Sequence, residues 1–233
     1  MKQSVQYLSP NYFAMVMATD SVSLFESNIS GNWLLFVVAI QSIVILTILI
    51  ASHAISFFRA ELNFIALSLW ILGGIFFIWI IILIIYRFSY LTFSENDLDP
   101  SYFICMGAMA ISSLTGIMIM MDVFKIYFFA SLIPFIKFIT FTFWIIVTTW
   151  IPLLAVLAFW KLFSKKSPIG YAPDYWAVVF PLGMYSLNTV LLAQNMNLKF
   201  LSYLGLVFFV LSILVWSLTF YGLMHKIFRI IIW

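Results

Sequence analysis

The apolar segments of this chain are long and almost uninterrupted, and they constrain its fold more than any other feature. The 233 residues include only 11 Lys and Arg and 8 Asp and Glu, whereas 65% are hydrophobic. Runs of about 20 apolar residues match the thickness of a bilayer core. Because lipid cannot satisfy the backbone, each span must form its own hydrogen bonds as a helix. We therefore predict an all-α, polytopic membrane protein whose partner is the lipid bilayer that surrounds it.

About seven apolar helices are predicted, forming a single transmembrane domain over residues 1–233. The first segment is the weakest, because its apolar stretch is short and Asp20 follows it directly. The runs are continuous and do not alternate, which argues against strands. The predicted segments are residues 11–24, 33–58, 63–86, 101–121, 134–160, 175–193 and 200–224.

The distribution of Lys and Arg over the short loops predicts the orientation of the chain. Cytoplasmic loops carry the excess of these residues. We therefore place the C-terminus in the cytoplasm and expect a bacterial cytoplasmic (inner) membrane. The richer side carries Arg87, Lys161, Lys165, Lys166, Lys226 and Arg229, and the poorer side Lys2, Arg59, Lys125 and Lys199.

Several function classes are excluded by what the sequence lacks. The net charge of +3 comes from scattered residues at segment ends and not from a basic patch, so no nucleic acid is expected. Cys105 is the only cysteine and no cluster has metal-ligand spacing, so we predict no metal and no cofactor. Protease, hydrolase, nucleotide and dinucleotide motifs are all missing, and we predict that the protein is not an enzyme.

The segment over residues 175–193 carries the strongest functional signal. Pro181 removes a backbone donor inside the helix, so we expect a bend there. Gly183 leaves room on one face, and Phe180 would point from the bend. Two interpretations stay open: a kinked helix that serves packing, and a helix that lines a cavity.

Small residues recur at helical spacing in the segment over residues 101–121. Ala108, Ser112 and Gly116 form a stripe, and Ser113 lies beside it. Such stripes allow helices to approach closely. The same stripe would also suit the wall of a narrow, mildly polar pore, so packing and pore lining both remain open.

Two charged residues lie in or next to apolar segments. Lys137 is close to Pro134 and can extend to the membrane interface as an anchor, or it can attract anions to an outer pore mouth. Asp20 is a functional candidate if the first segment spans, and a headgroup-level residue if it does not. The sequence leaves both pairs of alternatives open.

The order of these motifs resembles the tellurite-resistance/dicarboxylate transporter family, which includes the slow anion channels of plant guard cells. The resemblance covers nearly the whole chain, and the stretch with Phe180 and Pro181 resembles the ninth helix of that family. The stretches that carry it are Tyr12–Thr19, Gly31–Ser42, Leu69–Gly74, Met106–Ser112, Pro134–Pro152 and Tyr175–Tyr185.

The resemblance implies a ten-helix pore built from five helical hairpins, with the odd-numbered helices inside. It implies transport of small inorganic anions or C4-dicarboxylates, often by a homotrimer with one pore per subunit. Phe180 matches the phenylalanine that gates the pore. Pro181, Gly183, Ser112, Ser113 and Gly116 would line the pore or kink its helices, and Lys137 would lie at its mouth.

This chain also departs from the family pattern. The second to fourth helices are missing between the first two segments, and Asp20 stands where the family has a small residue. A carboxylate facing an anion path repels its cargo unless it is protonated or paired. The alternative hypothesis is therefore an internally deleted, non-transporting membrane remnant or interaction partner of the same family.

Overall fold

Six helices long and apolar enough to cross a membrane occupy the part of the chain that the structure describes. The structure is a computed structural model, and it describes residues 30–53, 56–90, 100–123, 131–164 and 173–232. The helices are α1 (Leu35–His53), α2 (Ser56–Tyr90), α3 (Ile104–Val123), α4 (Ile133–Ser164), α5 (Trp176–Met196) and α6 (Lys199–Ile232). Short 3-10 turns precede three of them, at Gly31–Leu34, Pro100–Phe103 and Pro173–Tyr175.

The prediction of an all-α, polytopic membrane protein is confirmed, and these six helices correspond to six of the seven predicted segments. The predicted first segment, over residues 11–24, lies outside the described residues. Helices α2 and α6 are longer than predicted, because the apolar run marks only the part of a helix that crosses the hydrocarbon. Both helices continue to residues that suit the membrane interface, such as Arg87 and Arg229.

Consecutive helices pack as pairs: α1 against α2, α3 against α4, and α5 against α6. The turn between α5 and α6 shows how such a pair is closed. Asn197 adopts a left-handed backbone conformation (φ 56°), which Asn tolerates better than most residues. The backbone N–H of Leu198 then donates to the carbonyl of Ala193 at 2.9 Å, so the last turn of α5 is capped. Each pair is therefore a helical hairpin.

The first helices of the three hairpins run parallel to one another. The turn at Gly31–Leu34 contacts the turn at Pro100–Phe103, which in turn contacts Pro173–Tyr175. The starts of α1, α3 and α5 therefore lie at one end of the molecule. Because α1 and α5 both pack along α3 from that end, the three helices share one direction. Helices α2, α4 and α6 return in the opposite direction.

Helix α3 is the centre of this arrangement. In its apolar window 89% of the residues are buried, whereas the figure for α6 is 17%. The helix packs against α1, α2, α4 and α5, so neighbours surround it on most sides. Small residues such as Ala108 and Gly116 make such close approach feasible. The packing interpretation of the stripe accounts for this burial.

Trp70 on α2 connects three helices at the level of this stripe. Its side chain is fully buried, and its indole N–H donates to the carbonyl of Ser112 on α3 at 2.7 Å. Its ring meets Phe143 on α4 edge to face, with centroids 5.7 Å apart. Gly116 lies against both Trp70 and the hydroxyl of Thr140, where a larger residue would overlap them. This contact fixes the depth of α2 and α4 along α3.

The outer helices present apolar side chains, as a lipid-facing surface requires. On α6 these include Leu206, Val207 and Phe209, all more than half exposed. The hydroxyl of Ser217 on the same helix donates to the carbonyl of Ile213 at 2.8 Å, four residues earlier. Bonding within its own helix satisfies this hydroxyl without water.

A side chain at Gly205 is expected to separate α5 from α6. A Cβ there would lie 2.6 Å from the Cγ2 of Val190, and Ser186 donates to the Gly205 carbonyl at 2.8 Å. We predict that Gly205→Val destabilises the protein by about 1–3 kcal/mol through overpacking. The thermal unfolding midpoint in detergent measures this. The matched control is Gly183→Val, because a Cβ at Gly183 meets no atom within 4 Å. Equal midpoints for the two variants would contradict the packing account.

Candidate functional site

Helix α5 contains a proline near its start, and the bend expected there stays a prediction. Pro181 is the sixth residue of the helix and is buried, and it cannot donate a hydrogen bond to the carbonyl of Ala177. Gly183 follows at a position with open space beside it. The helix therefore lacks one backbone hydrogen bond at Pro181, next to Phe180, and it has open space beside Gly183.

The ring of Phe180 lies against a glycine of the central helix. A Cβ at Gly107 on α3 would be 2.9 Å from Cε1 and 3.1 Å from Cδ1 of Phe180. The same Cβ would be 3.1 Å from Cγ of Pro181. Only a residue without a side chain lets the ring and the proline approach α3 this closely. Gly107 therefore forms the seat on which Phe180 rests.

One face of α5 is left open in the described structure. Phe180 is 36% exposed and Leu187 is 49% exposed, and Gln194 is also exposed. These residues recur every seven positions, which places them on one face of the helix. The other faces pack against α3, α4 and α6. Phe180 thus lies at the border between the packed side of α5, where it touches Gly107, and this open face.

Two aromatic contacts fix the rotation of α5 against α4. The indole N–H of Trp144 donates to the hydroxyl of Thr189 at 3.0 Å, and the hydroxyls of Thr148 and Tyr185 are 3.0 Å apart. The rings of Trp144 and Tyr185 stack with centroids 6.4 Å apart. Because Tyr185 lies one turn after Pro181, these bonds hold the part of α5 that follows the proline.

The predicted pore-lining serines form contacts between and within helices. The hydroxyl of Ser112 donates to the carbonyl of Ala108, one turn earlier, at 2.7 Å. The hydroxyl of Ser113 donates to the carbonyl of Thr140 on α4 at 3.0 Å. Both serines are fully buried. In this conformation both hydroxyls therefore already donate to backbone carbonyls, and the role of the two serines as pore lining stays a prediction.

A buried polar network connects α1, α2 and α3. The side-chain nitrogen of Gln41 donates to the carbonyl of Trp70 at 3.3 Å. Its side-chain oxygen accepts from the hydroxyl of Thr115 at 2.8 Å. Gly73 lies directly against the Gln41 nitrogen, and a side chain there would displace it. Gln41 therefore connects α1 to two other helices through two hydrogen bonds.

Asn188 on α5 is the exception to this pattern. Its side chain is fully buried, and neither its amide nitrogen nor its carbonyl oxygen has a hydrogen-bond partner in the described part of the chain. Leaving such a group unpaired costs about 1–3 kcal/mol. Asn188 follows Pro181 by seven residues and therefore lies on nearly the same helix face. Sequence inspection missed it, although an Asn on the buried face of a kinked apolar helix was a usable signal.

The charged candidates are described only in part. Lys137 is the fifth residue of α4 and is exposed, close to the start of the helix at Ile133. This position suits both the anchor and the anion-attracting mouth, and the choice between them stays a prediction. Asp20 lies outside the described residues. Among the described residues there is no group of three or more His, Cys, Asp and Glu that could hold a metal ion.

The fold and site together define a class of protein. A row of parallel apolar helices, one bearing a phenylalanine before a proline, belongs to a polytopic membrane protein with a helical-hairpin plan. The sequence matches the voltage-dependent anion channel family over residues 22–224, most of the chain. The chain belongs to this family, and the family predicted from its motifs is confirmed. The matched range begins after Tyr12–Thr19, the stretch compared with the first family helix.

Two curated relatives come from Mycobacterium tuberculosis, one from strain CDC 1551 / Oshkosh and one from strain H37Rv, and each is described as an uncharacterized membrane protein. Each is 31% identical over 133 residues, which cover 56% of this chain and 66% of the relative. The chain thus matches just under two thirds of the length of these relatives. No solved structure matches the chain significantly.

Replacing Gln41 by methionine is expected to loosen the contact of α1 with α2 and α3. The variant Gln41→Met keeps the size of the side chain but removes both interhelical hydrogen bonds. Such bonds contribute about 0.6 kcal/mol each in membrane proteins, so we predict a loss of about 1 kcal/mol. Thermal unfolding in detergent measures it. The matched control is Gln194→Met, at an exposed position on α5. A midpoint for Gln41→Met at or above that of the control would contradict the role of the network.

Proposed function

We propose that this protein moves small anions across the membrane through a narrow pore beside α3 and α5, and that Phe180 gates the pore. Membership of the voltage-dependent anion channel family supports transport of anions. The observation that carries the gate is the contact between Phe180 and Gly107, because it places an apolar ring where two parallel helices meet. The function is transport and not catalysis.

An apolar ring is an effective barrier to an anion. An ion that passes a hydrophobic constriction must lose water without gaining a partner, and such constrictions gate channels by excluding water. Phe180 can leave its seat by changing its side-chain rotamer, because the open face of α5 lies beside it. Pro181 and Gly183 make the adjacent backbone easier to bend. In this proposal they form the hinge next to the gate.

Ser112, Ser113 and Gly116 remain candidates for the pore wall. In the described conformation the two serine hydroxyls are bonded to carbonyl groups, so they reach an anion only if α3 shifts against α4. Lys137 remains a candidate for the mouth, where one positive charge raises the local anion concentration. The bonded hydroxyls favour a closed conformation of the proposed pore.

The finer properties of the transporter rest on family resemblance. The cargo is a small inorganic anion or a C4-dicarboxylate, and flux is passive or linked to protons. We propose a homotrimer in a bacterial cytoplasmic membrane with the C-terminus in the cytoplasm. The apolar face of α6, where Leu206 and Phe209 are more than half exposed, is available to lipid or to a second copy. A role in tellurite resistance is likewise a prediction that rests on the family resemblance.

A non-transporting role is favoured by one observation. Helices α1 and α5 both pack on α3, but within the described residues they do not pack extensively on each other. The row of parallel helices is therefore not a closed ring in that part of the chain. The two relatives are themselves shorter than this chain, since the same 133 residues form a larger share of each relative. Measurements of anion flux distinguish a transporter from a non-transporting remnant that only binds partners.

Removing the Phe180 ring is expected to open the pore. We predict that Phe180→Ala raises nitrate and chloride flux into liposomes about tenfold or more over wild type, because the hydrophobic constriction is lost. The matched control is Phe209→Ala on the outer helix α6, where Phe209 is 51% exposed, and it should leave flux unchanged. Absence of flux from folded wild type and folded Phe180→Ala would reject transport of these anions. Flux that is equal in the two proteins would reject the gate.

A further inference from the structure

Asn188 differs from most other buried polar side chains in the described part of the bundle. Gln41, Thr115 and Ser186 are similarly buried, and each has a hydrogen-bond partner on another helix. The carboxamide of Asn188 has two donors and one acceptor, and in the described structure none of them is used. A membrane interior offers no water to compensate. The amide of Asn188 is therefore left available to a partner that the described residues do not supply.

The hydroxyl of Thr140 is also buried without a partner, but its location differs. It lies against Gly116 on α3, whereas α5 meets α3 at Gly107. Nine residues separate the two glycines, which places them on opposite sides of the helix. Thr140 is therefore enclosed between α3 and α4, away from the open face of α5.

The depth of Asn188 follows from the register of the parallel helices. Phe180 meets Gly107, and both helices continue in the same direction from that contact. Asn188 lies eight residues beyond Phe180, a distance of about 12 Å along the helix axis. Thr115, which belongs to the polar network with Gln41, lies eight residues beyond Gly107. Asn188 is thus level with the polar layer in the middle of the bundle.

The orientation of Asn188 connects it with the open face. Leu187, the preceding residue, is 49% exposed on that face, and successive residues differ by about 100° around a helix. A partial rotation of α5 beyond Pro181 would bring the amide to the face that Phe180 and Leu187 border, and it would break the hydrogen bonds of Thr189 and Tyr185 to α4. Pro181 has no backbone N–H to resist this rotation, and Gly183 has no neighbour within 4 Å of its Cβ position.

We propose that the side-chain amide of Asn188 is an anion-binding group of the pore, two helical turns beyond Phe180. This inference rests on the proposed function, because it names a residue that contacts the conducted anion. The amide N–H groups donate to the anion, and they replace part of its hydration shell after it passes the aromatic ring. A neutral donor binds an anion weakly enough to release it, as conduction requires.

The first test measures nitrate flux into liposomes as a function of nitrate concentration, in the Phe180→Ala background. We expect Asn188→Leu to raise the nitrate concentration for half-maximal flux about tenfold, the factor for losing one hydrogen bond to an ion. The matched control is Asn195→Leu, because Asn195 is exposed on the same helix and already donates to the carbonyl of Leu191 at 2.9 Å. This control should leave the half-saturating concentration unchanged.

The charge of the side chain gives a second variant that does not depend on tolerance of leucine. Asn188→Asp keeps the size of the side chain, and its carboxylate should repel nitrate once ionised; because burial favours the neutral acid, nitrate flux should fall as the pH is raised. The matched Asn195→Asp variant should conduct like its parent. Unchanged nitrate flux in Asn188→Asp would overturn the proposal.

A binding measurement separates this inference from the proposed function. Nitrate should raise the thermal unfolding midpoint of the wild-type protein in detergent, with gluconate as the large-anion control, and Asn188→Leu should lose this shift. Suppose that Phe180→Ala conducts nitrate and that adding Asn188→Leu leaves the nitrate concentration for half-maximal flux unchanged. This result would overturn the role of Asn188 and leave transport intact. Loss of the nitrate shift in Asn188→Leu, with no flux from any variant, would support the binding group and reject transport.

Discussion

The structure depends on satisfying polar groups around one central helix in surroundings without water. Helix α3 is enclosed by α1, α2, α4 and α5, so its polar groups must find partners within the helix or on these neighbours. The hydroxyl of Thr115 donates to Gln41 on α1, and the indole of Trp70 on α2 donates to the backbone carbonyl of Ser112; these two bonds also set the depth of α1 and α2. Small residues allow the approach, and the hydrogen bonds select one register among those that packing alone would permit.

Helix α5 lies at the edge of the tightly packed region around α3, and it is the helix that we propose to move. Helix α5 touches α3 through the Phe180 ring on Gly107, and Pro181, just beyond that ring, removes one backbone hydrogen bond from the helix. Trp144 and Tyr185 hold the following turns against α4, so we expect any bending to occur at the proline. The unpaired amide of Asn188 lies in the part of α5 that a bend would carry. The packing around α3 and the proposed hinge in α5 thus rest on different bonding in adjacent helices.

Much of the fold could be predicted from the sequence, because a bilayer sets the length of each apolar span and leaves the helix as its only form. Motif order also identified the family, and it predicts Phe180 as the gate. The partners of buried polar groups could not be predicted, since they depend on register between helices. Ser112 and Ser113 suited a pore wall by composition, yet their hydroxyls bond to Ala108 and Thr140. Asn188 could be noticed in the sequence as a polar residue in an apolar helix, but only the packed structure shows that its amide is buried without a partner among the described residues.

The central claim is that this chain forms an anion-selective path closed by Phe180. The most direct test is the reversal potential of purified Phe180→Ala protein in a planar bilayer under a potassium chloride gradient. The account predicts a current that reverses close to the chloride equilibrium potential and that is absent with potassium gluconate. A current that reverses close to the potassium equilibrium potential, or no current from correctly folded protein, would contradict it.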